Sequence, residues 1–130
     1  MASIFTRIVE GEIPSHKLYE SDTHYAFLDI NPIQPGHALV IPKREVDYLF
    51  DLPEDEYVDL WKTVRVVEAA LRKATGCKRV VVMVVGYEVP HCHVHLIPTN
   101  ELHDYPIPPQ GTLTPEAAEQ LKADVAAALA

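Results

Sequence analysis

The stretch His91-Cys92-His93-Val94-His95-Leu96-Ile97-Pro98 constrains this chain more than any other segment. In an extended strand every second side chain points to the same face, so three imidazoles share one face and Cys92, Val94 and Leu96 share the other. A helix would scatter them. Alternate Cα atoms along a strand lie roughly 6.5–7 Å apart, which lets neighbouring rings converge on one phosphorus atom or one metal ion. The apolar row opposite is what such a strand needs to lie on a hydrophobic core while presenting chemistry to a ligand. Histidine adds little to packing, and each buried imidazole needs a hydrogen-bond partner, so a purely structural use of all three is costly. Two functional uses remain: a nucleophile with its supports, or a metal cage.

The rest of the chain supplies a scaffold for that strand. Ser3 is placed to cap a short helix carrying Ile4, Phe5, Ile8 and Val9 on one side, with Gly11 ending it. Strands are expected to open at His16, Tyr25, His37, Arg79 and His91, with turn chemistry at Ser21-Asp22, Asn31-Pro32 and Gln34-Pro35-Gly36 between the first three. Between Pro53 and about Thr75, the residues Tyr57, Leu60, Trp61, Val64, Val67 and Leu71 recur three or four apart, which predicts a long amphipathic helix. Pro53 and the acidic turn Glu54-Asp55-Glu56 open it and Gly76 closes it. The β-branched run Val80 to Val85 predicts a strand buried on both faces or lying at a dimer seam. After a loop over 99–109, Thr114-Pro115-Glu116 opens a last helix with Leu121, Val125, Ala128 and Leu129 on one stripe. The expected architecture is α+β: a five-stranded antiparallel sheet with one long helix, a short N-terminal helix and a C-terminal helix.

A chain of 130 residues has the size of one domain, and nothing in it resembles a linker or an internal repeat, so 1–130 is expected to be a single domain. The formal charge of −8 argues against a nucleic acid polymer or an anionic membrane as partner, because both attract basic surface. A mononucleotide can still bind in a locally favourable pocket. The N-terminus lacks the apolar run of a secretory signal, no stretch of about 20 apolar residues occurs, and Cys77 and Cys92 lack metal-ligand spacing. The expectation is a cytoplasmic protein with reduced thiols, no membrane span and no cofactor.

The alternating histidines resemble the signature of the histidine triad (HIT) family of nucleotide-binding proteins and hydrolases, of the bacterial Hint-like type. The resemblance extends upstream through Ile4-Phe5 to Gly11-Glu12-Ile13-Pro14, through Ala26-Phe27-Leu28-Asp29-Ile30-Asn31-Pro32, and through Pro35-Gly36-His37-Ala38-Leu39-Val40-Ile41-Pro42-Lys43. These blocks fall in the family's order and together cover residues 3–98, whereas 99–130 is a divergent C-terminal loop and helix. The resemblance implies the HIT-like fold, a homodimer, and the cleavage of a nucleoside 5′-phosphoramidate or related conjugate at the α-phosphorus. In that reaction His93 attacks, a nucleotidyl-histidine forms, and water releases the nucleoside monophosphate. His91, His95 and His37 would support the attack.

By the same resemblance Asp29 grips the ribose hydroxyls, although on its own a carboxylate before Asn-Pro is also a common turn former. Ile8, Ile13, Phe27 and Ile30 match positions lining a purine and sugar pocket, and Glu88 matches a further site position. The chain departs from the family pattern at 85–90: a shorter, apolar hairpin replaces a Gly-rich turn, and Tyr87 stands where relatives carry Gln. Amide donors to ribose or phosphate are therefore missing. Two further readings stay open at this stage, a non-catalytic purine-nucleotide-binding regulatory protein and a zinc hydrolase with histidine ligands, the second predicting three nitrogens about 2.0–2.1 Å from one ion.

Overall fold

In a computed structural model, residues 1–105 and 111–130 are described; the 106–109 part of the expected loop lies outside them. The elements run α1 (Ile4–Val9), β1 (Lys17–Glu20), β2 (His24–Leu28), β3 (Ala38–Pro42), α2 (Glu54–Thr75), β4 (Arg79–Met83), β5 (Val94–Thr99) and α3 (Pro115–Leu129). One-turn 3₁₀ segments occupy Leu49–Asp51 and Leu102–Asp104. The five strands form one sheet in the order β1-β2-β3-β5-β4, each neighbouring pair antiparallel. The α+β architecture read from the sequence is the observed one.

Period-two alternation divides the sheet into two faces. On one face Ala26, Ala38, Val40, Val94 and Leu96, with Cys92 just before β5, pack against Leu60, Val64, Val67 and Leu71 of α2. These four helix residues are spaced three or four apart, so they line one stripe, and burying each contributes about 1.5–3 kcal/mol. Gly76 closes α2 in the left-handed conformation at φ 69°, its N–H donating to the Arg72 carbonyl. On the other face Tyr25, Phe27, Leu39 and Ile41 meet Phe5 of α1, flanked by Ile8, Val9 and Val89. Ser3 caps α1, its Oγ accepting from the Thr6 N–H at 3.0 Å. The smaller cluster thus lies on the face to which His95 also points.

The turn into β3 fixes the approach to that face. Gly36 has φ +91°, and a Cβ there would lie 3.2 Å from both Pro98 Cγ and Thr75 Cγ2, so the turn needs glycine for conformation and for space. Pro98 is accepted inside β5 because the β3 ladder begins only at Ala38, paired with Leu96, leaving no β3 partner at Pro98.

Three expectations need correction. β4 is an edge strand, with Val82 and Arg79 exposed and Val80 and Val81 half-buried, so it is not covered on both faces within the chain. Sequence patterning reports burial, and a β-branched run on an edge reads the same as one in the centre. The stripe on α3 is not packed either: Leu121, Val125 and Leu129 are all exposed. The triad is not wholly within a strand, since β5 opens at Val94. The His91 N–H donates to the Val89 carbonyl and the Cys92 N–H to the Val46 carbonyl, at 2.8 and 2.7 Å, which turns the chain before it joins the ladder.

Candidate functional site

The three triad rings sit in different surroundings. His91 is entirely buried, 0 % exposed. Its Nε2 lies 2.7 Å from the Pro42 carbonyl oxygen, which can only accept, so Nε2 carries the hydrogen. Its Nδ1 then accepts from the Ser3 hydroxyl at 2.8 Å. Both nitrogens are committed to protein, so of the three imidazoles expected on one face only His93, itself buried, and the half-buried His95 keep a ring nitrogen without a protein partner among the described residues. Burial holds the His91 pKa below the ordinary histidine value, against the opposing pull of the Pro42 carbonyl and of Glu45.

The middle ring is positioned by the backbone of the first. His93 Nδ1 lies 2.7 Å from the His91 carbonyl oxygen and therefore donates to it. A neutral His93 in this arrangement keeps the lone pair on Nε2, for which no protein partner occurs among the described residues. Phe5 packs its ring edge-on to His93 at a centroid distance of 4.9 Å and fixes the imidazole plane. The ring lines a cavity of about 530 Å³ walled by Asp47, Tyr48, Leu49, Phe50, Cys92 and the 84–87 connection.

His95, the only triad ring on β5 itself, stands across the ladder from Leu39 and Met83 and is half-buried. Its Nδ1 lies 2.9 Å from Nε2 of His37. The Ile33 N–H donates to His37 Nδ1 at 3.1 Å, so a neutral His37 carries its hydrogen on Nε2 and donates it to His95 Nδ1. A neutral His95 in turn carries its hydrogen on Nε2, a donor without a protein partner among the described residues. Burial first, and then the neighbouring rings of His93 and His37, push its pKa down to about 4. Burial also lowers the pKa of His37, against an opposing pull from Asp29. Cys92 is pushed up to about 11 by burial, which makes it an inert core thiol.

Asp29 does what a turn former does: its Oδ1 accepts from the Asn31 N–H at 2.8 Å. Its Oδ2 is 3.6 Å from His37 Nε2, in ion-pairing range but too long for a hydrogen bond. Asp29, His37 and His95 also form a cluster whose ligating atoms lie within 4.8 Å of one another. Two of these ring nitrogens, His37 Nε2 and His95 Nδ1, are joined to each other by a hydrogen bond. His91, with both nitrogens engaged, does not converge with His93 and His95 on a common point.

Of the expected pocket residues, Phe27 is buried beside Phe5, with ring centroids 5.5 Å apart, and Ile8 and Ile13 are half-buried. Ile30 is 78 % exposed, an apolar side chain free to meet a ligand. Glu88 is exposed on the 84–93 connection and makes no hydrogen bond among the described residues. Sequence reading missed Ser3 as a partner of His91, and it missed the cavity wall Asp47–Phe50. Ser3 was legible only as a helix cap, because its second contact joins residues 88 apart.

An α+β fold with His37 just before β3 and His91, His93 and His95 around the start of the neighbouring strand β5, His37 and His95 hydrogen-bonded ring to ring, defines a histidine-triad domain. The chain belongs to the HIT domain family, whose family model matches residues 10–102. It is 39% identical over 101 residues to the Adenosine 5'-monophosphoramidase HNT1 of Saccharomyces cerevisiae, covering 77% of this chain and 64% of that protein. It is 35% identical over 103 residues to the Adenylylsulfatase HINT3 of Arabidopsis thaliana, covering 75% of this chain and 52% of that protein. Among solved structures, a HIT family member from Bacillus subtilis superposes with a TM-score of 0.83 at 28% identity, covering 100% of this chain and 99% of that one.

Proposed function

We propose that this protein hydrolyses a nucleoside 5′-phosphoramidate or related purine nucleotide conjugate at the α-phosphorus, by way of a nucleotidyl-histidine on His93. The observation that carries the reading is the 2.7 Å bond from His93 Nδ1 to the His91 carbonyl, which leaves the Nε2 lone pair of a neutral ring without a protein partner among the described residues. An imidazole needs no deprotonation to attack near neutral pH, unlike a serine hydroxyl. His93 Nε2 forms a bond to phosphorus as the bond to the leaving amine or oxygen breaks, and the leaving group takes a proton from solvent. Water then attacks phosphorus, gives a proton back to solvent and breaks the P–N bond, releasing the monophosphate and the neutral His93 ring. His95 Nε2–H donates to a phosphoryl oxygen, where negative charge develops. Asp29 and Ile30, with Phe27, Ile8 and Ile13, take the ribose and base, and Glu88 takes part in the same site.

Relatives named as a phosphoramidase and an adenylylsulfatase support hydrolysis of nucleotide conjugates. The reading includes a single domain over 1–130 acting as a homodimer through the exposed edge of β4 and the residues that follow it, where Val82, Val84 and Val85 are uncovered. A cytoplasmic location belongs with it. No helix among the described residues is long and apolar enough to cross a membrane.

The test is incubation with an adenosine phosphoramidate, acid-free quench and intact mass measurement. The parent protein gains the mass of one adenylyl group, while His93→Ala gains none and loses turnover by a factor on the order of 10⁴ or more, yet still binds adenosine monophosphate. Near-normal turnover in His93→Ala overturns the assignment.

A further inference from the structure

The sealed end of the triad connects to a carboxylate outside the motif. Glu45, three residues past the end of β3, accepts with Oε1 from the Ser3 N–H at 2.6 Å and from the Thr6 hydroxyl at 2.7 Å. Ser3 is the N-cap of α1 and Thr6 lies in its first turn, and an anion is favoured at that end of a helix, where N–H groups lack intrahelical partners. With the Thr6 hydrogen committed to Glu45, the Ser3 hydroxyl is the group that donates to His91 Nδ1, while Thr6 Oγ1 stands 3.3 Å from the same nitrogen. Ser3 N–H and then Thr6 hold the Glu45 carboxyl at a pKa of about 2, so it is an anion across the whole working range.

The consequence runs through one further bond. His91 is gripped on one side by Ser3 and on the other by the Pro42 carbonyl, and its own carbonyl is the group that holds His93. We infer that Glu45 is a positioning residue: through Ser3 and Thr6 it fixes α1 against His91, so that the His91 carbonyl keeps His93 in its Nδ1–H form with Nε2 free. The chain Glu45, Ser3, His91, His93 ties the helix N-terminus, the end of β3 and the reacting ring into one unit. The inference rests on His93 being the attacking group for its effect on rate, but its effect on ring tautomers does not.

The test is long-range ¹H–¹⁵N NMR of the histidine side chains together with steady-state kinetics on an adenosine phosphoramidate. The parent shows His91 as the Nε2–H form and His93 as the Nδ1–H form. In Glu45→Ala the His93 signal moves toward a mixture of forms, and kcat falls roughly 10- to 100-fold with KM changed less than about threefold, as expected for a misplaced reacting group. Glu45→Gln keeps an acceptor oxygen at the same place and restores kcat to within about threefold of the parent.

Unchanged tautomers and kcat in folded Glu45→Ala overturn the inference, and so does a Glu45→Gln variant as impaired as Glu45→Ala. If Glu45→Ala fails to fold, Thr6→Val, which retains the Ser3 cap, carries the decision by the same two measurements. A parent protein that forms no adenylyl adduct defeats the proposed function, while the tautomer measurement still decides the role of Glu45.

Discussion

The two ends of the histidine triad use one residue type in opposite ways. His91 is dry, wholly buried and hydrogen-bonded by both nitrogens to Ser3 and to the Pro42 carbonyl, so its work is architectural. His95 is half-buried and spends only Nδ1, on His37, leaving Nε2 for a ligand. The difference follows from backbone position. His95 lies in the β5 ladder, where alternation sends its ring to the open face, whereas His91 precedes the ladder and points between α1 and β3. Spacing two apart therefore marks the set of rings but does not assign their roles, which come from what stands opposite each nitrogen.

Rate and stability should separate between the two rings. His95→Asn removes the Nε2–H donor and should lower kcat by roughly 10²–10⁴, the usual range for one positioned acid–base or oxyanion group. Its melting temperature should stay within a few degrees of the parent, since His95 is only half-buried and asparagine keeps a polar group facing the His37 ring. His91→Ala should do the reverse in proportion. It strips a buried ring and leaves the Pro42 carbonyl unpaired, for a loss of about 3 kcal/mol, seen as a fall of roughly 10 °C in thermal unfolding. A His91→Ala protein as stable as the parent would remove the architectural reading of that ring.

The pH dependence of stability sharpens the same contrast with a smaller effect. His37, His91 and His95 all have pKa values below the ordinary 6.5, chiefly through burial, and His95 is pushed to about 4. The unfolded chain thus binds protons that the folded one refuses, so stability is fully present above about pH 6.5 and is lost as pH falls toward 4. Melting curves between pH 7.5 and 4 should show that decline, and His95→Asn should flatten part of it. A flat parent profile across that window would mean the rings accept protons without cost in the fold.

Much of this arrangement was legible because it is local. The row Cys92, Val94, Leu96 was readable as core from alternation alone, and it packs on α2 as that pattern demands. The helix itself followed from Tyr57 to Leu71 recurring at helical spacing, and its end from Gly76. What escaped depends on contacts distant in sequence. Glu45 reaches Ser3 across 42 residues, and Ser3 reaches His91 across 88. The position of β4 at the sheet edge was hidden for a related reason: Val80 to Val85 reports apolar side chains, not which neighbours cover them. His91 was misplaced onto the strand because the bonds that turn it away, to Val89 and Val46, involve backbone atoms that composition does not reveal.

A third position, at the mouth between the two ends, gives the smallest expected effect. Tyr87 is 96 % exposed and lines the same cavity as His93, at the place where the family resemblance leads one to expect Gln. Because the ring is almost wholly in solvent, removing it costs the fold nothing measurable. An amide there can donate to a bound phosphate or ribose, and one such bond is worth about 0.5–1.5 kcal/mol net, or roughly two- to tenfold. Tyr87→Gln should therefore raise kcat/KM on an adenosine phosphoramidate by a factor in that range, with the melting temperature unchanged. A fall instead would mean that the aromatic face itself holds the leaving group, and that the cavity walled by Tyr48, Phe50 and Tyr87 selects for apolar leaving groups in place of the missing polar contacts.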